Sequence, residues 1–371
     1  MGGVAKVILD LVPNIDLLRF ELTIIVLSKN IELLNQYTLP DSIKVLSFAY
    51  EYDEDYSLRK HILFSFFNSL TLIRAKEILI AIKNLKPDII HFHTLPRELT
   101  IGILAQKENS CAIVYTDHLV RIKPTEYTFI IRFLLGRTFK RLYTNFHLIA
   151  VSKSVEAVVK KYKLLGNNKK YMLLENQIDP VKFSPDISQK TTETINVIYI
   201  ARICLIKGQQ DLINAWSKLK TNKPKKLLLV GPDEMSGKIQ EYASRIIKDN
   251  SVEFLGSQND ILPFLKKANI AVFPSYKEGL PLSLLEKMAM ELPIAASDID
   301  EIKSIITHTK NGLLFKCGNA EDLAEKLNLL IENKNLRDSL GKEARVTILE
   351  KYGQGNTASI HEQFYFDILN S

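Results

Sequence analysis

The chain has 371 residues, 46% hydrophobic and 25% charged, the balance of a folded globular protein too long for one ordinary core. Its three cysteines stand far apart, which excludes a disulfide framework or a cysteine-based zinc site and fits a reducing cytoplasm. The net charge of +7 is uneven: residues 121–170 hold 12 basic and 2 acidic side chains, a field that draws anionic ligands or surfaces.

In chain order, the opening Met1-Gly2-Gly3-Val4-Ala5-Lys6 lacks a basic stretch followed by an apolar core, so no secretory leader is expected. No apolar run approaches the ~20 residues of a membrane span. Strands are expected at Thr23–Leu27, Ile89–His93, Ala112–Tyr115 and Leu148–Val151, each a brief apolar run ended by polar residues. Helical spacing marks Leu72–Leu85 between them. The polar stretch Asp186–Thr194 reads as a linker after Pro180 and Pro185. A second series of strands follows at Ile195–Ile200, Lys226–Val230, Val252–Leu255, Ile270–Phe273 and Ile294–Ala296. Helices fit at Gln209–Leu219, Ser236–Lys248, Gln258–Ala268, Leu282–Met290 and Ala320–Glu332. Such alternation builds parallel sheets covered on both faces, here two doubly wound α/β domains with a cleft between them. The expected domains are residues 1–185, 186–345 and a final helix within 346–371 that returns to the first domain.

The most informative stretch is Phe273-Pro-Ser-Tyr-Lys-Glu-Gly-Leu-Pro-Leu-Ser-Leu-Leu-Glu286. A strand ends, a loop carries Glu278 and Gly279, and a helix opens near Pro281, where a missing N–H does no harm. The amides of Gly279, Leu280 and Leu282 would form an anion-binding helix start. Glu286 lies two turns on, where a buried carboxylate suits the paired hydroxyls of a ribose. Alone, the stretch is equally an amphipathic helix with two solvent-facing glutamates. Upstream, Ala201-Arg202-Ile-Cys-Leu-Ile-Lys207-Gly208 places two cations on a strand-to-helix loop, an arrangement able to grip a diphosphate.

With these motifs the chain resembles the retaining glycosyltransferases of family 4, which have the two-Rossmann-domain glycosyltransferase B fold. The landmarks are Gly2-Gly3, Asp88-Ile-Ile-His-Phe-His93, Tyr115-Thr-Asp-His118, Asn176-Gln-Ile-Asp179, Arg202, Lys207-Gly208, Leu229-Val-Gly-Pro232 and Glu278-x7-Glu286. The resemblance implies that Arg202 and Lys207 bind the donor diphosphate, Glu286 the ribose and Glu278 the donor sugar. It implies that His118 projects toward the anomeric centre and that amides of Gly2 and Gly3 approach the phosphates. The implied reaction moves a sugar from a UDP- or GDP-linked donor to a glycan or lipid-linked acceptor in bacterial surface polysaccharide assembly. No cofactor, metal or nucleic acid enters it. In keeping, Asp53-Glu-Asp55 and Asp298-Ile-Asp300 read as a loop and a helix cap rather than a divalent-ion motif.

Three departures stand out. The chain begins almost at Gly2-Gly3, so roughly ten residues of a preceding strand are expected to be missing. Ala201 stands where the family has glycine. Gln177 replaces the glycine of an Asn-Gly-Ile-Asp turn, at about 1 kcal/mol if the turn needs positive φ. His91 and His93 end a strand on the same side, as a metal pair or as core histidines. The basic segment interleaves Arg132, Arg137, Lys140 and Arg141 with Phe129, Phe133, Phe139 and Tyr143, which points to peripheral contact with an anionic membrane. A non-catalytic glycan- or membrane-binding relative, and an epimerase or phosphorylase of the same architecture, remain alternatives.

Overall fold

A computed structural model describes residues 3–26, 39–48, 69–93, 111–118, 146–161, 165–167, 169–186, 193–353, 355 and 357–371. The chain divides into two compact units: Met1–Leu174 with Asn356–Ser371, and Glu175–Gly355.

The first unit contains α1 (Gly3–Leu11), β1 (Thr23–Val26), β2 (Lys44–Ser47), α2 (Ser69–Leu85), β3 (Ile89–Phe92), β4 (Ala112–Asp117), β5 (His147–Ala150), α3 (Lys153–Lys161), β6 (Tyr171–Leu173) and α11 (Thr357–Leu369). β1 and β2 pair in parallel, and β3-β4-β5-β6 form a four-stranded parallel sheet. Successive strand side chains point to opposite faces, so β4 serves two cores. Ile113 and Tyr115 join Phe146, Leu148, Val155 and Val159 on one side. Val114 and Ile149 meet Phe364 and Ile368 of α11 on the other.

The second unit holds β7 (Ile195–Ile200), α4 (Gln209–Ser217), β8 (Lys225–Val230), α5 (Lys238–Ile246), β9 (Val252–Gly256), α6 (Leu262–Lys267) and β10 (Ile270–Phe273). It continues with α7 (Leu282–Ala289), β11 (Ile294–Ser297), α8 (Asp300–Lys303), β12 (Leu313–Phe315), α9 (Ala320–Glu332) and α10 (Lys334–Thr347). Every residue of β10 and β11 is buried, as expected for parallel strands covered on both faces. The order is β12-β11-β10-β7-β8-β9. The chain therefore starts in the middle, fills one side through β9, then crosses back to fill the other. This is Rossmann-type double winding, and its switch point lies between β7 and β10, where such sheets bind ligands beyond the strands' carboxyl ends.

Among the described residues no helix is long and apolar enough to cross a membrane. Positive φ at non-glycine residues occurs at Lys86, Ser236, Asn250, Glu291 and Thr309, not at Gln177. The strain considered for the Asn176–Asp179 turn therefore does not arise. Gly355 instead makes room for the Gln177 side chain, whose Oε1 would lie 2.1 Å from a Cβ at that position.

Candidate functional site

β7 and β10 pair through Ile270–Val197 and Ala271–Ile198, so the loops leaving their carboxyl ends emerge side by side. The first loop passes through a 3-10 turn, Leu205–Lys207, to Gly208 at φ 70° and then into α4. A Cβ on Gly208 would sit 2.1 Å from the Pro274 carbonyl oxygen, so only glycine lets the two backbones approach this closely. The Tyr276 N–H donates to the Ile206 carbonyl at 2.9 Å and ties the loops together. Beneath them the Tyr199 hydroxyl donates to the Lys207 carbonyl at 2.8 Å and lies 3.0 Å from Ser275 Oγ. Burial, and then the charge of Glu278, push the Tyr199 phenol well above its ordinary pKa, so it serves as a neutral brace.

On this frame Lys207 Nζ lies 2.6 Å from Glu278 Oε1, with the two side chains 17% and 8% exposed. Arg202 Nη1 donates to both carboxylate oxygens of Glu234, at 2.6 and 2.8 Å. Burial opposes the guanidinium's charge, but the hydrogen bond and charge of Glu234, with Glu278 adding to them, hold its pKa above the ordinary value. The Arg202 carbonyl accepts from Gln209 Nε2 at 2.8 Å, which anchors the loop to α4. An ammonium has three N–H donors and a guanidinium five. Each cation thus keeps donors beyond those its carboxylate takes.

α7 begins at Leu282 with Pro281 as its cap, and the Leu284 and Leu285 N–H groups donate back to the Pro281 carbonyl. Gly279 and Leu280 lead into that start, and Asn176 Nδ2 holds the Leu280 carbonyl at 2.8 Å. The Leu282 and Ser283 N–H groups, ahead of those of Leu284 and Leu285, have no intrahelical acceptors, and such amides favour an anion. Glu278 and Glu286 are 6% and 3% exposed. That overturns the reading of the pair as solvent-facing glutamates. Arg202, Lys207 and Glu278 come together at the switch point, with Glu286 farther along α7.

His118 belongs to the first unit, immediately after β4, and its Nε2 lies 3.1 Å from His93 Nδ1. His91 is held between two hydroxyls, with Nδ1 2.7 Å from Tyr365 Oη and Nε2 2.7 Å from Thr116 Oγ1. Both its nitrogens are engaged, so His91 has no lone pair to give a metal. No group of three or more His, Cys, Asp or Glu able to hold a metal ion occurs among the described residues. Gly3 is the first residue of α1, and Gly2 lies outside the described residues. So do residues 119–145, with Arg132, Arg137, Lys140 and Arg141 of the basic segment.

Sequence reasoning missed Glu234, Tyr199 and Gln209. Tyr199 reads as one more apolar residue of a buried strand. Glu234 had one indirect signal: β7 and β8 are parallel neighbours, so the loops after them run together, as the Ile203–Asp233 bridge records.

Residues 1–180 match the model of "Glycosyltransferase Family 4" and residues 181–347 that of "Glycosyl transferases group 1". The chain is 28% identical over 59% of its length to N-acetyl-alpha-D-glucosaminyl L-malate synthase of Bacillus anthracis, and spans 59% of that protein, less than two thirds. It is 29% identical over 78% of its length to N,N'-diacetylbacillosaminyl-diphospho-undecaprenol alpha-1,3-N-acetylgalactosaminyltransferase of Campylobacter jejuni, spanning 80% of it. A capsular polysaccharide biosynthesis glycosyltransferase of Staphylococcus aureus is 25% identical over 72% of the chain and 73% of its own. Among solved structures, sucrose-phosphate synthase of Thermosynechococcus elongatus matches with TM-score 0.79 at 17% identity, covering 100% of this chain and 94% of that one. HepE of Anabaena in complex with UDP-glucose matches with TM-score 0.77 at 18% identity, covering 100% and 96%.

Proposed function

Because the chain belongs to the family 4, group 1 glycosyltransferases, we propose that it moves a sugar from a nucleoside diphosphate donor to a hydroxyl of a glycan or lipid-linked glycan. The observation that carries this reading is the meeting of Arg202, Lys207 and the start of α7 at the switch point of the second unit. Two fixed cations and a helix N-terminus suit a diphosphate, and a leaving diphosphate is where negative charge grows in this chemistry.

In the proposed mechanism the bond from the anomeric carbon to the diphosphate breaks while the acceptor oxygen approaches the same face. The acceptor's proton passes to an oxygen of the departing diphosphate. Arg202 and Lys207 stabilise that leaving group without a metal ion. Glu278, fixed by Lys207, would offset positive charge on the sugar, and buried Glu286 would accept hydrogen bonds from the ribose. To His118 we assign the role that the resemblance gives it, toward the reacting sugar, and neither glutamate forms a covalent intermediate. The configuration of the sugar is retained.

The names of the Campylobacter and Staphylococcus relatives support a lipid diphosphate-linked or capsular acceptor. The basic composition of residues 121–170 supports attachment to an anionic membrane surface, each basic group contributing about 1 kcal/mol. The deciding experiment incubates the purified chain with a panel of UDP- and GDP-sugars and follows nucleoside diphosphate release, with and without EDTA. NMR of the product reads the new linkage. Release unaffected by EDTA and a product with the donor's anomeric configuration are expected; inversion, or a requirement for added metal, refutes the mechanism. Co-sedimentation with anionic but not neutral vesicles, weakening with salt, is the matching outcome for membrane attachment.

A further inference from the structure

The described part of the first unit concentrates histidine in one place. His91 and His93 project from the end of β3, His118 follows β4, and His361 lies on α11. The His91 and His93 rings stack with centroids 4.2 Å apart and planes 29° apart, and His93 and His118 stack at 5.4 Å. His361 stands 5.9 Å from His91, with its Nδ1 2.7 Å from the Thr357 carbonyl.

This order propagates in one direction. Tyr365 Oη and Thr116 Oγ1 take both nitrogens of His91, so that ring cannot turn without losing a hydrogen bond. His93 stacks on the fixed ring, its plane 29° off. Its Nδ1 meets His118 Nε2 at 3.1 Å, and a hydrogen bond between two imidazoles requires one N–H and one lone pair. We propose that His93 is a positioning residue for His118, its stacked ring and Nδ1 together fixing the tautomer and orientation of the His118 imidazole. This rests on the reading of His118 as the group that faces the reacting sugar.

Burial first, and then the neighbouring histidines, hold the His93 pKa well below its ordinary value, so His93 enters the bond as a neutral ring. A neutral His93 with its proton on Nδ1 makes His118 Nε2 the acceptor; with the proton on Nε2 it makes His118 Nε2 the donor. Either way Nε2 of His118 is committed, and any further polar partner of that ring is met by Nδ1. Partners that set a histidine tautomer through its second nitrogen are worth roughly 10–100-fold in activity where the histidine ligates a metal. The same logic applies to a histidine facing a substrate.

The test uses the full chain labelled with nitrogen-15 histidine, with the His118 ring nitrogens assigned by their loss in His118→Gln. The unmutated protein should show His118 in one tautomer. His93→Phe keeps an aromatic ring against His91 but has no nitrogen, and should shift the His118 ring nitrogens and change its tautomer balance. His93→Asn places an amide near the former Nδ1 and should recover most of the single-tautomer spectrum. With whichever of UDP-glucose, UDP-N-acetylglucosamine or GDP-mannose is turned over, His93→Phe should lower kcat about 10-fold or more while the donor KM stays within about twofold. Unchanged His118 nitrogen shifts in His93→Phe overturn the proposal. If that variant does not fold, the unmutated spectrum decides: evenly mixed tautomers overturn it, and one tautomer supports it. His118→Ala separates the two readings, since full activity there removes the role given to His118, whereas a tautomer set by His93 stands or falls on the spectra.

Discussion

Sequence places Arg202 and Lys207 as two cations on one loop, and their neighbours make them different. Arg202 and its partner Glu234 are 43% and 44% exposed, and an exposed pair of this kind contributes about 0–1 kcal/mol to folding. Lys207 and Glu278 are mostly buried, so removing the ammonium leaves a carboxylate desolvated without its counter-charge, at roughly 3–5 kcal/mol. Arg202→Ala should therefore slow turnover by about 10²–10³-fold, the usual loss for one preorganised donor to a developing anion, with little change in melting temperature. Lys207→Ala should slow turnover as much and also melt at a markedly lower temperature. Adding Glu278→Gln to Lys207→Ala should restore much of the melting temperature but none of the activity. Parallel thermal melts and turnover assays check this. Equal melting losses in the two single variants would mean that the buried pair adds nothing to the fold. The residue types and their loop were visible in the sequence, but the partner of each charge was not, because Glu278 and Glu234 reach the loop only through the pairing of β7 with β10 and β8.

At the scale of elements, the strands that position this loop were the easiest to read. Ile195–Ile200, apolar but for Asn196, and the unbroken apolar Ile270–Phe273 are observed with the expected bounds, because strands buried on both faces read as near-continuous apolar runs. β2, with three of its four residues exposed, and the three-residue β6 and β12 carry no comparable run and went unseen. α10 was missed because few of its residues reach the core, Leu340, Gly341 and Ala344 among them. The helix expected over Gln258–Ala268 shortens to Leu262–Lys267, with its proline in the first turn, where proline is tolerated. Gly208 is a tight joint between elements. Gly208 and Gly237 have φ of 70° and 80°, but a Cβ on Gly237 meets nothing within 4 Å, whereas one on Gly208 meets the Pro274 carbonyl at 2.1 Å. Gly237→Ala should lose about 1–2 kcal/mol, the backbone term alone. Gly208→Ala adds overpacking, for a total of roughly 2–5 kcal/mol, and must displace the loop that carries Lys207. Denaturant unfolding measures the first difference, and titration with UDP and GDP measures the second. Similar losses in both variants would show that the close approach of the two backbones is easily relieved.

At the scale of the whole molecule, the two units carry different acid sensitivities. Described histidines whose pKa is depressed, His91, His93, His147 and His361, all lie in the first unit. His147 is pulled down to about 4 by burial and by the charges of Lys169 and Lys170. Its Nδ1 accepts from the Lys170 N–H at 3.1 Å, a bond that needs the neutral ring. A histidine free in the unfolded chain binds its proton near pH 6.5, so between that value and about 4 the unfolded state holds more protons. Stability of the first unit should therefore be fully present above pH 6.5 and decline as pH falls toward 4. The second unit answers later. Asp249, held down by its hydrogen bond with Ser251, and Glu332, by its hydrogen bond with Thr221, have lowered pKa values. Their contribution stays intact while unfolded carboxylates remain ionised and is lost only below about pH 4. The chain's single tryptophan, Trp216, lies in the second unit, buried, with its indole N–H on Ser251 Oγ at 2.8 Å. Its fluorescence thus follows that unit, while far-ultraviolet circular dichroism follows both. From pH 7.5 to 5 the dichroism transition should move to lower temperature and separate from the fluorescence transition, which should shift far less. His147→Asn, which keeps a polar group near the Lys170 N–H but cannot titrate, should narrow that separation. Coincident transitions at both pH values would show that the units melt as one body, and the histidines of the first would then set the acid limit of the entire chain.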